Sequence, residues 1–224
     1  MKALFWKDVR INRLPLIAGL ISLVAPYVLV ALVPNAGSPT SFWPRVLMSG
    51  GSLGFAGFYI SMALLGGNVF AAERADRSAE FLAYLPPSKR QILISKGILL
   101  FGMATIIIGW NLTAIGVGIF LKSDMEWAGR FYEFLWTLGA VGAFGIAAAG
   151  TGWCASSMLS SNGGPVGLGL LVPVVIAIGI SVSNMLMGVP SDAWFPQTIW
   201  AACSLVGVAL FIVGCVYYLR RVEP

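Results

Sequence analysis

The sequence predicts an all-α integral membrane protein with six transmembrane helices and both termini cytoplasmic, and three observations carry that expectation. Of 224 residues, 58% are apolar and 10% charged, with a mean hydropathy of +0.87, a balance that water-soluble domains do not hold. Six runs reach the roughly 20 apolar residues that a helix needs to cross a bilayer: 14–33, 46–72, 92–121, 131–155, 165–187 and 199–219. The basic residues are also lopsided. With the N-terminus inside, the cytoplasmic side collects Lys2, Lys7, Arg10, Arg13, Arg74, Arg77, Lys89, Arg90, Lys96, Arg220 and Arg221, against Arg45, Lys122 and Arg130 outside, as the resistance of Lys and Arg to translocation requires.

Taken in order, residues 1–13 form a basic segment with Phe5, Trp6 and Val9, expected as a short helix at the inner interface whose cations snorkel while its apolar side chains enter lipid. A signal peptide is the weaker alternative, because the apolar run that follows is longer than a typical h-region and contains Pro15 and Pro26. Spans one and two occupy 14–72, a charged stretch follows over 73–90, and spans three to six fill 91–224, so a single transmembrane domain is expected over 1–224. The net charge of +5 follows from topology, with no nucleic-acid partner needed.

Tryptophans at positions 6, 43, 127, 194 and 200 fall at span ends, where the amphipathic ring prefers the headgroup level. Trp110 and Trp136 sit deeper. They read first as packing residues and second as the lining of a substrate path. Asn68, Asn111 and Asn184 are amides in or beside spans and are expected to bond across helices, with Asn111, beside Trp110, the best exception in favour of a ligand. Glycine and alanine recur at spacings of three and four, as at Gly50, Gly54 and Gly57, Gly139, Gly142 and Gly145, and Ala143 and Ala147, which lets helix backbones approach closely. Pro15, Pro26 and Pro173 should kink or end helices locally.

The chemical inventory argues against an enzyme. There is no histidine, which removes a serine–histidine dyad, HExxH zinc chemistry and histidine haem ligation. No Asp or Glu lies near the centre of a span, where proton-driven carriers generally need one. Glu133 is the nearest, close to an outer end and three residues from Arg130. Cys154, Cys203 and Cys215 have no metal-ligand spacing and read as small core residues. The chain has no GxxxxGK[ST] phosphate loop and so cannot hydrolyse ATP in the P-loop manner.

The charged island ERADRSAEFLAYLPPSKRQILISK, residues 73–96, carries the most local information. Glu73 and Arg77 stand four apart in a helix-supporting order, Ala75, Ala79, Leu82 and Ala83 make a small apolar stripe, and Pro86 and Pro87 end the segment. Ser88 and Gln91 match a capping box, so the third span should start at Lys89. A solvated connecting loop is the plain reading of such a stretch.

The island nevertheless resembles the cytoplasmic loop of ABC-2 type transporter permeases: a Glu, a polar turn, a second Glu, a leucine-rich helix, a Pro, a basic pair and a Lys entering span three. Here these are Glu73, Arg77 and Ser78, Glu80 with Phe81 and Leu82, Leu85 and Pro86, Lys89 and Arg90, and Lys96. The resemblance extends to the basic N-terminal segment and the six spans. It departs from the family at Arg77-Ser78, where Gly-Thr is common, and in the uncharged second loop, Ser156 to Gly164. What it implies is a dimerising permease of a bacterial inner membrane, as homodimer or with a related permease, exporting an amphiphilic or hydrophobic substrate. ATP and Mg would be bound by a separate ABC ATP-binding subunit, this chain holding no cofactor. Glu73, Asp76, Arg77, Ser78, Glu80, Phe81 and Leu82 would then form a coupling helix against that subunit. An ATP-independent channel or secondary carrier, and a structural scaffold, are the rival classes.

Overall fold

The computed structural model describes residues 2–33, 42–75, 88–122, 127–159, 161, 163–186 and 191–221, and they are all-helical apart from short turns. We number the helices α1 (Lys2–Ile11), α2 (Arg13–Leu32), α3 (Phe42–Asn68), α4 (Ala71–Ala75), α5 (Lys89–Lys122), α6 (Trp127–Met158), α7 (Gly163–Leu186) and α8 (Ser191–Arg221). Six of them, α2, α3 and α5 to α8, are long and apolar enough to cross a membrane. Their bounds match the six runs read from the sequence to within a few residues at most ends.

Local chemistry sets several of these boundaries. Pro15, Pro44 and Pro165 each stand third in their helix, in the first turn, where the missing N–H would have had no partner. Pro26 and Pro173 lie deeper, and both helices run on through them, so neither proline terminates its span. The Ser88–Gln91 box forms as expected: Gln91 N–H donates to Ser88 Oγ at 3.3 Å, Ser88 N–H donates to Gln91 Oε1 at 3.2 Å, and α5 begins at Lys89. The Arg45 guanidinium donates to the carbonyls of Val33 at 3.0 Å and Val30 at 3.4 Å, closing the C-terminus of α2.

The centre of the bundle is α3, whose buried face meets α2, α5, α6 and α7, while α6 pairs closely with α8. Small residues make these approaches possible. A Cβ on Gly57 would reach Ser22 Cβ at 2.5 Å, on Gly50 a Tyr27 ring carbon at 2.6 Å, and on Gly207 the Ile146 carbonyl oxygen at 2.6 Å. The core runs through Phe55, Phe58, Met62, Leu65, Ile107 and Trp153, with a second cluster around Ala143, Ala147 and Cys203. The three cysteines are free, Cys154 and Cys203 buried and Cys215 half-buried, in keeping with core roles.

Candidate functional site

One end of the bundle concentrates ionisable side chains inside the protein. The α3 helix stops at Asn68, a turn follows at Val69 and Phe70, and α4 begins at Ala71. Helix α1 packs on the base of α5 beside it. Asp8 of α1, Glu73 of α4 and Lys96 of α5 are all buried there, the Lys96 side chain to 1% exposure.

Lys96 sets the geometry. Its ammonium donates to the Val69 carbonyl at 2.6 Å, lies 3.1 Å from Glu73 Oε1 and 3.5 Å from Asp8 Oδ1, and stands 5.2 Å above the Phe70 ring. An ammonium has three donors, and three oxygens meet it. The Val69 carbonyl belongs to the turn that ends α3, so Lys96 also caps that helix. Lys7, 24% exposed, donates to Glu73 Oε1 at 2.5 Å, and the Ser95 hydroxyl donates to Asp8 Oδ2 at 2.5 Å. Among the described residues two cations face two carboxylates, the pairing under which buried charge is tolerated. Burial pushes the Glu73 carboxyl up, but the Lys96 charge and the Lys7 hydrogen bond outweigh it and hold the group below its ordinary value.

The turn is pinned from its other side by rings. Phe70 stacks on Tyr218 of α8 at 4.6 Å and meets Trp153 of α6 edge-on at 5.1 Å. Ser156 donates to the Gly66 carbonyl at 3.0 Å, tying α6 to the last turns of α3. The junction at which the chain leaves α3 for the 76–87 segment therefore touches α1, α5, α6 and α8.

Of the residues singled out for coupling, Glu73 lies within this junction and faces inward. Asp76, Arg77, Ser78, Glu80, Phe81 and Leu82 lie outside the described residues, as do Pro86 and Pro87. Asn111 is fully buried: its Oδ1 accepts from the Tyr27 hydroxyl at 2.8 Å and its amide donates to the Ile107 carbonyl at 2.9 Å, the interhelical bonding expected of it. Trp110 is 54% exposed, donates from its indole to the Leu23 carbonyl at 3.1 Å and meets Tyr27 edge-on. The side chains of Trp136, Arg130 and Glu133 lie outside the described residues.

Sequence reasoning missed the cluster. It took Lys7 as a topology signal, Lys96 as a topology signal and part of the family pattern, and gave Asp8 no role. The available signals were a lone acid in a basic segment and a lysine seven residues inside a span, where an unpaired charge is costly. Asp8 on α1 and Asn12, in the turn just after it, stand four apart and are both buried, so this basic segment turns polar side chains inward.

Comparison with known proteins gives a family and no individual relative. No curated protein and no solved structure matches the chain. The family described as ABC-2 family transporter protein matches residues 5–176, from α1 into α7 and so across the whole charge cluster. Its members have no ATPase domain of their own and generally work with an ATP-binding subunit. The chain belongs to the ABC-2 transporter family and is the multi-pass membrane component of such a transporter.

Proposed function

We propose that this chain is driven by a separately encoded ATP-binding subunit whose movement enters through residues 73–90, and that it exports an amphiphilic or hydrophobic cargo across a bacterial inner membrane. The charged end of the bundle is then the cytoplasmic end, in keeping with the distribution of Lys and Arg. The observation that carries this reading is the junction at Val69 to Glu73, where one turn is bonded or stacked to α1, α5, α6 and α8 at once. A force applied to the loop is delivered there to several helices together, as transmission between two arrangements of a bundle requires.

In this scheme Asp76, Arg77, Ser78, Glu80, Phe81 and Leu82 meet the ATPase, the charged residues setting register and Phe81 and Leu82 anchoring. Glu73 anchors the base of the loop to Lys7 and Lys96. The chain works as a dimer, with a second copy or with a related permease, and ATP and Mg reside in the partner. Trp110, Asn111 and Trp136 are proposed to flank the substrate path, Asn111 and Trp110 through the Tyr27 contacts that hold α2 against α5.

The test is recovery of a Walker-motif ATPase with the tagged chain in mild detergent, beside a Glu80→Lys, Leu82→Asp variant. Stoichiometric ATPase with the wild type and its loss from the variant is the expected result. ATPase absent from both, together with flux through the purified chain in ATP-free liposomes, would replace this reading with a channel or carrier.

A further inference from the structure

Between α5 and α8 lies a groove of about 590 Å³ that is open on one side, within the range of about 300–1,000 Å³ over which sites enclose ligands. Phe101, Thr105 and Gly109 of α5 form one wall, Val208 and Phe211 of α8 the other, and Met62 of α3 lies in its floor. Phe101 and Val208 are more than half exposed. The lining is apolar except for Thr105, whose hydroxyl is spent on the Phe101 carbonyl at 2.8 Å, so nothing in the groove asks for a polar ligand. The helices that line it, α3, α5, α6 and α8, are all among the six membrane-crossing candidates.

The α5 wall ends in cations at the charged end of the bundle. Phe101 and Phe211 meet at 5.5 Å between ring centroids, which sets the register of these oppositely directed helices. Counting from that contact at about 1.5 Å per residue and 3.6 residues per turn, Arg90 lies about 17 Å toward the charged end, three turns below Phe101 on the same face of α5, whereas Arg220, nine residues beyond Phe211, lies on the far face of α8. Arg90 is exposed, and half-buried Lys89 adjoins it. Among the described residues the acidic side chains at that end are Asp8 and Glu73, and both are buried against lysines. No acidic side chain among the described residues is left there to neutralise Lys89 and Arg90.

We infer that this groove seats an acyl chain of an anionic phospholipid whose phosphate lies against Lys89 and Arg90. One leaflet with its headgroups is about 20 Å deep, so a lipid held at those cations places the distal part of its chain between Phe101 and Phe211. A soluble anion cannot reach the groove, and a neutral lipid leaves the cations unmatched. Basic pockets between membrane helices select anionic headgroups by the same charge logic. The inference holds whichever side of the membrane the charged end faces and does not rest on the coupling scheme.

The test is native mass spectrometry of the full chain released from nanodiscs of phosphatidylglycerol or of phosphatidylcholine with the same acyl chains. One retained phosphatidylglycerol per chain is expected, at least tenfold over phosphatidylcholine. A Cβ on Gly109 meets nothing within 4 Å, so Gly109→Phe fills the groove from an open position and should lower retention at least tenfold. Val208→Trp does the same from the opposite wall and guards against a folding defect in the first variant. Lys89→Gln with Arg90→Gln should bring the two lipids to near parity. Equal retention of both lipids by the wild type, or undiminished phosphatidylglycerol in both groove-filling variants, overturns the inference. So does a change from dimer to monomer on filling the groove without loss of lipid, which would assign it to a second copy of the chain.

Discussion

The charged end and the middle of the bundle are held together by opposite means. At the charged end, α1, the α3–α4 turn and α5 meet through ions and hydrogen bonds around Lys96, and each contact depends on direction. In the middle, α6 and α8 meet backbone to backbone: a Cβ on Gly150 would lie 1.9 Å from the Gly207 carbonyl oxygen. Packing of this second kind is cohesive and hard to reverse, because small residues leave no side chain to rearrange. An ionic cluster has discrete partners that can be exchanged, as the coupling role proposed for this junction requires. The two regions thus differ in what a single substitution removes, a charge partner at one and close backbone approach at the other.

The sharpest way to break this comparison is to remove the central cation. Lys96→Met leaves Asp8 and Glu73 buried without it, which typically costs about 3–5 kcal/mol. Thermal unfolding in mild detergent should show a large fall in midpoint. Adding Asp8→Asn and Glu73→Gln, which removes the orphaned charges, should recover most of it. An unchanged midpoint in the single variant would mean that water reaches the cluster and that its charges hold nothing together.

The packed seam is challenged next. Gly150→Leu must push α6 away from the α8 backbone, since no flexible side chain can yield, and overpacking of this kind costs about 1–3 kcal/mol. Gly102 is the control: an added Cβ there meets nothing, and alanine favours a helix over glycine by about 1 kcal/mol. Gly102→Ala should therefore leave the unfolding midpoint unchanged or raise it. Equal losses at both positions would show that glycine matters here for flexibility and not for close approach.

What the sequence made legible follows the same division. Span number and bounds were readable because bilayer thickness fixes the length of an apolar run, and the start of α5 because Ser88 and Gln91 bond within one turn. The close approaches were readable as glycine spacings, though their partners were not. Asn111 announced an interhelical bond but not that Tyr27, 84 residues away, would supply it. The cluster was least legible, because Lys96 joins Val69 at a separation of 27 residues and Asp8 at 88. Read along the chain, a lysine near a span end is a topology signal, and only the fold turns it into a buried counter-ion. Of the proposed coupling residues, Glu73 falls within the described residues and the others outside them, so their roles rest on the family pattern.

A smaller effect separates the two kinds of contact within a single helix pair. Tyr27→Phe keeps the ring against Gly50 and Trp110 but strips Asn111 Oδ1 of its donor. Interhelical hydrogen bonds in membranes are worth about 0.6 kcal/mol on average and at most about 1.7, so a small drop in the unfolding midpoint is expected. A drop as large as that of Lys96→Met would place the ionic cluster and this amide on the same footing.

The smallest effect is local and depends on pH. The Glu73 carboxyl titrates below its ordinary value of 4.5 when folded, so the folded state binds fewer protons than the unfolded state there. Its contribution is complete above pH 4.5 and is lost as pH falls through the lowered folded value, with no change between pH 7 and pH 5. Glu73→Gln imitates the protonated form and should open the α4 junction at every pH. Amide exchange over 71–75 in wild type and variant should therefore differ at neutral pH and converge only in acid. Convergence already near pH ~6 would mean that burial outweighs Lys96 and Lys7 and raises the carboxyl. The junction would then be a proton-sensitive hinge, and the charged end would differ from the packed seam in responding to pH as well as to force.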